Sequence, residues 1–358
     1  MTKQLFKVLS LLLYISILGA CKEEKPRTVL ELFPESQFLT QKKDFAINED
    51  SLVQVAGLAC DGKNLLVSDA HSGRSYTLFD AHSGEYIAPF GVIGQGPAEI
   101  PANSYGYLSS GCFTAFNDQT GVVMKYSLDS LRSGQPNASP VCLTRYTLSG
   151  AQISRLIAID DSTFLGAGTY QSRYQYLLFD KNSTVMDCGV DVYNAADSTF
   201  NVYTKYLANQ GVLFMHPQKK LFAYSVNFSS NIDFFTIKNN KIELIESLRL
   251  ADPICEPQVG KIGDNTFYSV GRTENSQTGY IQLCGTTKYV YALYSDKKVN
   301  ENGWKSDTVL VFDWTGHPVK KYTLDTTAYH LAVDEERQSL FAVVKNSDDG
   351  WSIVSYAL

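Results

Sequence analysis

The pentapeptide Asp-Ala-His-Ser-Gly occurs twice, at 69–73 and at 80–84. An imidazole beside a carboxylate is the pairing from which zinc sites and acid/base catalysis are assembled. The first copy follows the apolar run Leu65-Leu66-Val67 and the second follows Tyr76-Thr77-Leu78-Phe79, so the two read as successive turns of one antiparallel meander. Successive turns lie at opposite ends of a sheet, which sets His71 and His82 roughly 17 to 20 Å apart, about one strand length. That separation rules out a shared metal, and the Asp, Ser and Gly of each copy read as turn formers. His216, His317 and His330 are scattered, with His330 opening a strand expected to border a central channel. The chain has no Gly-x-Ser-x-Gly elbow and no Asp-x-Asp-x-Asp-Gly calcium loop; Asp160-Asp161 and Asp348-Asp349 are neighbours within turns. The sequence therefore assigns no catalytic residue, metal ligand or cofactor.

Of the seven cysteines, Cys21 stands apart. It follows a leader with Lys3 and Lys7 in its first segment, an apolar run from Val8 to Leu18, and the small pair Gly19-Ala20. This is the pattern of a bacterial lipobox, with residues 1–20 as signal peptide and Cys21 as the acylated residue. The apolar run is too short to span a bilayer comfortably. Each buried acyl methylene contributes about 0.8 kcal/mol, so several chains hold the mature N-terminus at a membrane. Residues 21–37, with the charged stretch Lys22-Glu23-Glu24-Lys25-Pro26-Arg27, are expected to form a flexible, lipidated tether. Cys60, Cys112, Cys142, Cys188, Cys255 and Cys284 form no Cys-x-x-Cys pair and read as buried thiols. Disulfides remain open to them in a compartment outside the cytosol.

The elements that position these groups are strands. Tyr (22) and Phe (19) are abundant while charged residues make up only 19%, which suits sheets packed through aromatic side chains. The net charge of −6 is dispersed and leaves no basic stripe for phosphates, which argues against nucleic-acid binding. Short β-rich runs are separated by Gly, Asn, Asp and Ser turns, and no long amphipathic helix is evident. Leu78-Phe79-Asp80 recurs as Leu178-Phe179-Asp180 and Val311-Phe312-Asp313, with weaker echoes around Tyr126, Phe235 and Tyr356. The mean step between these aromatic positions is about 55 residues, a propeller-repeat period. The expected fold is all-β: a six-bladed β-propeller over residues 38–358. Its last unit, ending in Trp351–Tyr356, is one strand short, and the stretch from Phe38-Leu39 to Asp44-Phe45-Ala46-Ile47 is expected to supply it. Two β-sandwiches are the competing arrangement, and they leave the repeat unexplained. The interval between Phe235 and Phe312 is longer than the rest, and long loops are where recognition concentrates, which marks Arg272 and Glu274 as binding candidates.

The run Phe90-Gly91-Val92-Ile93-Gly94-Gln95-Gly96-Pro97-Ala98-Glu99-Ile100 resembles the loop after the first blade in the TolB-like six-bladed propeller lipoproteins of Bacteroidota, itself related to NHL-type blades. Ala98 stands where that pattern has a glycine. Gly91, Gly94 and Gly96 are expected to allow positive φ or close backbone approach, and Pro97 to stiffen the exit. No strand-to-helix context makes this loop a phosphate cradle. Lys22-Glu23-Glu24 resembles the export tag of Bacteroidota lipoproteins, implying the outer membrane and its outer face ahead of the periplasmic one. Asp161-Ser162-Thr163 and Asp197-Ser198-Thr199 resemble the O-glycosylation motif of the same phylum. Fold does not carry function with it. The leading expectation is a lipid-anchored envelope module that binds a protein or a glycan without turning it over. The competing classes are a structural part of an envelope assembly and a propeller hydrolase or lyase acting on polysaccharide, with His330, Asp69 and Arg155 as candidate channel residues.

Overall fold

Each apolar run bounded by turn residues forms a strand, and one four-stranded meander leaves two apolar faces that only neighbouring meanders can cover. Six such sheets result, together with a separate two-stranded hairpin. The computed structural model describes residues 28–41, 43–45, 52–96, 98–102, 105–109, 111–134 and 139–358. In the first blade Val55–Cys60, Asn64–His71, Arg74–Asp80 and Tyr86–Val92 follow one another from channel to rim. The innermost strands of the next five are Gly106–Ser109, Ala151–Ala158, Gly211–Met215, Gln277–Gly285 and His330–Asp334. All six run in the same sense around the axis; the face where they begin is called upper, and the face where they end is called lower.

Phe79, Tyr126, Phe179, Phe235, Phe312 and Tyr356 lie on the third strands of the six blades, and all are buried. Five of them are the penultimate residue of their strand; in the fourth blade the strand Ile232–Lys238 runs on past Phe235 to a tight Asn239-Asn240 turn. The aspartates after the aromatics cap the lower turns. Asp180 accepts from the backbone N–H of Asn182 (2.9 Å) and Thr184 (2.8 Å), and Asp80 from those of His82 and Ser83 (both 2.9 Å). In the first blade Asn64 pairs with Asp80 and His71 with Arg74, so His71 and His82 stand at opposite ends of the sheet as expected.

Closure differs in detail from the expectation. Lys43–Phe45 pairs antiparallel with Trp351–Ala357, completing the sixth blade, and the Phe45 ring meets Phe341 edge-on at 5.1 Å. Ser36–Leu39, however, pairs in parallel with Pro318–Ala328 as a fifth strand on the fifth blade, so Phe38-Leu39 belongs to a different sheet from Phe45. Ala46 and Ile47 lie outside the described residues. The tether boundary at residue 37 is also corrected. Thr28 leads into a 3-10 turn, Val29–Leu32, in which Val29 is fully buried, and Phe33 packs edge-on against Phe312 at 5.1 Å. Two apolar side chains in that position, each contributing about 1.5–3 kcal/mol on burial, hold the segment on the wall between the fourth and fifth blades. The chain thus enters at the lower end of the fifth blade, beside Phe312 and Lys321. Residues 1–27, including the leader and Cys21, lie outside the described residues.

The long interval before the fifth blade folds as an antiparallel hairpin, Glu256–Ile262 with Asn265–Gly271, standing on the upper face. The short helix Val202–Ala208, capped by Asn201 Oδ1, lies beside its second strand.

Candidate functional site

The six innermost strands enclose a central cavity of about 720 Å³. Each contributes to its wall, among them Leu58, Leu108, Arg155, Phe214, Gln282 and His330. Of the sequence candidates, Arg155 and His330 share this cavity. Asp69 does not: it lies on the second strand of the first blade, buried, accepting the backbone N–H groups of Val53 (2.9 Å) and Gln54 (2.5 Å) that lead into the innermost strand. Arg272 and Glu274 sit together after the upper hairpin. The Arg272 guanidinium stacks 3.4 Å over the Phe228 ring, while Glu274 is exposed.

His330 faces Gln282, a residue that sequence reasoning missed. The Gln282 amide donates to Leu58 O (2.9 Å) and Leu331 O (2.8 Å), which turns its Oε1 toward His330 Nδ1 at 2.8 Å. A carbonyl oxygen there requires the proton on Nδ1. Burial holds the imidazole pKa down at about 4, with a hydrogen bond to the Val55 backbone working weakly the other way. His330 is therefore neutral at pH 7 and ties the fifth, sixth and first blades across the closure. The signal was present in the sequence as a lone glutamine inside Tyr280-Ile281-Gln282-Leu283-Cys284.

Arg155 comes from the innermost strand of the third blade, directly after a bulge at Ile153/Arg155 that re-aims the side chain. Its Nη1 donates to Ser154 O (2.7 Å), and its guanidinium lies 3.4 Å over the half-exposed Tyr105 ring. No carboxylate among the described residues forms an ion pair with it. The acidic groups of the cavity, Asp61, Asp334, Glu335 and Glu336, gather at its lower mouth, where Asp334 pairs with Arg337 at 2.6 Å and Glu335 accepts the Thr287 N–H at 2.8 Å.

The glycine loop packs its backbone closely on two neighbouring side chains. Gly91 has φ +72°, and a Cβ there would meet the Tyr76 ring at 2.8 Å. Gly94 and Gly96 instead make room for Glu99, whose Oε2 accepts the Gly96 N–H at 2.7 Å. Pro97 lies outside the described residues. The six cysteines of the propeller are free thiols; of the six expected to be buried only Cys284 is, while Cys60, Cys112, Cys188 and Cys255 are half-buried and Cys142 is exposed. Thr199 bonds back to Asp197 in an exposed turn, the local geometry of one of the two glycosylation-like tripeptides.

The upper hairpin displays a cluster of exposed apolar side chains. Val259 is 66%, Ile262 73%, Phe267 45% and Tyr268 40% exposed. Val259 and Tyr268 are cross-strand partners on one face; Phe267 lies over Gly260 on the other, where a Cβ would meet the ring. Ile254 and Leu250, in the loop leading to the hairpin, extend the exposed apolar surface.

A six-bladed ring closed by its own N-terminus, with a cavity on the axis, defines the class. Residues 57–336 match the family described as TolB-like 6-blade propeller-like, and the chain belongs to that family. Its fold is similar to a protein from Bacteroides vulgatus ATCC 8482 of the DUF4221 family (TM-score 0.55, 10% identity, covering 89% of this chain and 97% of that one). It is also similar to a protein of Bacteroides fragilis NCTC 9343 described as exported (TM-score 0.52, 11% identity, 92% and 95% covered). At such identities the likeness concerns the fold alone. No curated protein matches the sequence.

Proposed function

We propose that the chain is a lipid-anchored propeller of the bacterial cell envelope, held by acylated Cys21 at the outer membrane, whose upper face binds another envelope protein. The observation that carries this reading is the hairpin 256–271. A two-stranded ribbon is marginal by itself in water, and this one spends its apolar side chains on solvent rather than on a core. Its position supports the reading. The chain enters the propeller at the lower end of the fifth blade, so an anchor ahead of Thr28 puts the hairpin on the side facing away from the lipid.

The test uses the full-length lipoprotein, extracted in detergent and captured by a C-terminal tag. Wild type is expected to bring down a stoichiometric partner. The double variant Val259→Ser/Ile262→Ser is expected to lose that partner while melting at the wild-type temperature. Cys21→Ser is expected to leave the membrane fraction without acyl label. A partner retained by the hairpin variant, or a Cys21→Ser protein that still carries acyl chains, refutes the corresponding half of the reading.

A further inference from the structure

Arg155 is a charge with no ion-pair partner among the described residues, in a walled cavity. A guanidinium offers five N–H donors. Here one N–H is used on Ser154 O and one flat face is covered by Tyr105, which leaves the rest of the fork turned to the cavity. The same cavity is lined by Leu58, Leu108 and Phe214, and by Gln282, whose amide is already committed to Leu58, Leu331 and His330. His330 is neutral, so Arg155 is the one cation among the described residues lining the space.

We propose that the channel is a binding site for a small molecule carrying a single carboxylate, taken by the free edge of the Arg155 guanidinium. The planar fork matches a carboxylate in two parallel hydrogen bonds, and the Tyr105 ring fixes the plane in which the fork lies. Asp61, Glu335 and Glu336 at the lower mouth set the sign of entry: an anion approaches from the upper face, and one negative charge is favoured over two because a single cation is opposed by those acids. A volume of about 720 Å³, walled in part by Leu58, Leu108 and Phe214, accommodates an aromatic or sugar body behind the carboxylate. This site is separate from the apolar hairpin, and its fate is independent of the protein-binding reading.

The experiment is calorimetric titration of the propeller with a graded panel of carboxylates (acetate, benzoate, indole-3-acetate, glucuronate), each against its own amide, and with inorganic sulfate. At least one carboxylate is expected to bind about tenfold or more tightly than its amide and more tightly than sulfate. Arg155→Gln is expected to abolish the preference for acid over amide, and Arg155→Lys to retain charge attraction but lose most of the preference. Should Arg155→Gln fold poorly, the wild-type comparison of acid, amide and sulfate decides alone. Equal binding of acids and amides, tighter binding of sulfate, or an unchanged preference in a folded Arg155→Gln protein overturns the proposal.

Discussion

A glutamine inside an apolar strand costs burial free energy unless its amide is fully partnered. Gln282 meets that condition by reaching Leu58 of the first blade and His330 and Leu331 of the sixth, which makes it a cross-blade latch at the ring closure. The latch sets a pH window. The His330 pKa is depressed from 6.5 to about 4, so between those values the unfolded chain binds a proton that the folded one refuses. The buried neutral ring carries no proton-linked cost above pH 6.5, and the folded state loses about 3 kcal/mol as pH falls from there to 4. Denaturant melts at pH 7 and pH 4.5 are expected to show this loss in wild type and a smaller one in His330→Gln. His216, whose pKa burial also depresses, contributes in the same direction and remains in the variant. The capping aspartates are distinct in range. Asp80 is held below the usual carboxylate values first by the Ser83 N–H, and Asp180 first by the Thr184 N–H, so their contributions vanish only in more acidic solution. At Gly91 the constraint is steric: Gly91→Ala places a methyl group against the Tyr76 ring at φ +72°, and chemical denaturation is expected to show a loss of about 2–3 kcal/mol.

At the scale of elements, what was legible in the sequence is what repeats. The aromatic of each third strand is set by the packing of one blade on the next, so it recurs in every blade, and Phe79, Tyr126, Phe179, Phe235, Phe312 and Tyr356 together give the count of six. The hairpin 256–271 was visible only as excess length between two repeats. Its alternation is broken by apolar residues on both faces, the pattern of a strand pair with no core beneath it. Ser36–Leu39 was assigned to the wrong sheet because a short strand with one buried side chain, Leu39, fits either neighbouring blade; the parallel pairing is decided by Val29 and Phe33, whose pocket lies between the fourth and fifth blades. Site residues were less legible still. Asp69 and Arg155 each stand as a lone charged residue in a strand, and only the bulge at Ile153/Arg155, which leaves no mark in the sequence, turns one of them into the channel. The N-terminal element has a measurable weight: Phe33→Ala removes a ring packed on Phe312 and is expected to cost about 3 kcal/mol in an unfolding titration.

For the whole molecule, the seam between the fifth and sixth blades is where the chain's beginning and end meet. Lys43–Phe45 completes the last sheet, Ser36–Leu39 extends the one before it, and Arg337 of the sixth blade donates to Gly62 O of the first at 2.6 Å. A chain starting at residue 52 lacks both clasp strands, and its thermal transition is expected to fall and broaden relative to the full-length protein, as read by calorimetry. The direction of the entering strand carries a mechanical meaning. Ser36–Leu39 climbs from the lower face parallel to its neighbour, so traction that overcomes the Val29 and Phe33 contacts is passed on to the lower end of this strand. Hydrogen bonds lying crosswise to the strand are strained together rather than peeled one after another, and the load passes into the fifth sheet before it reaches the ring.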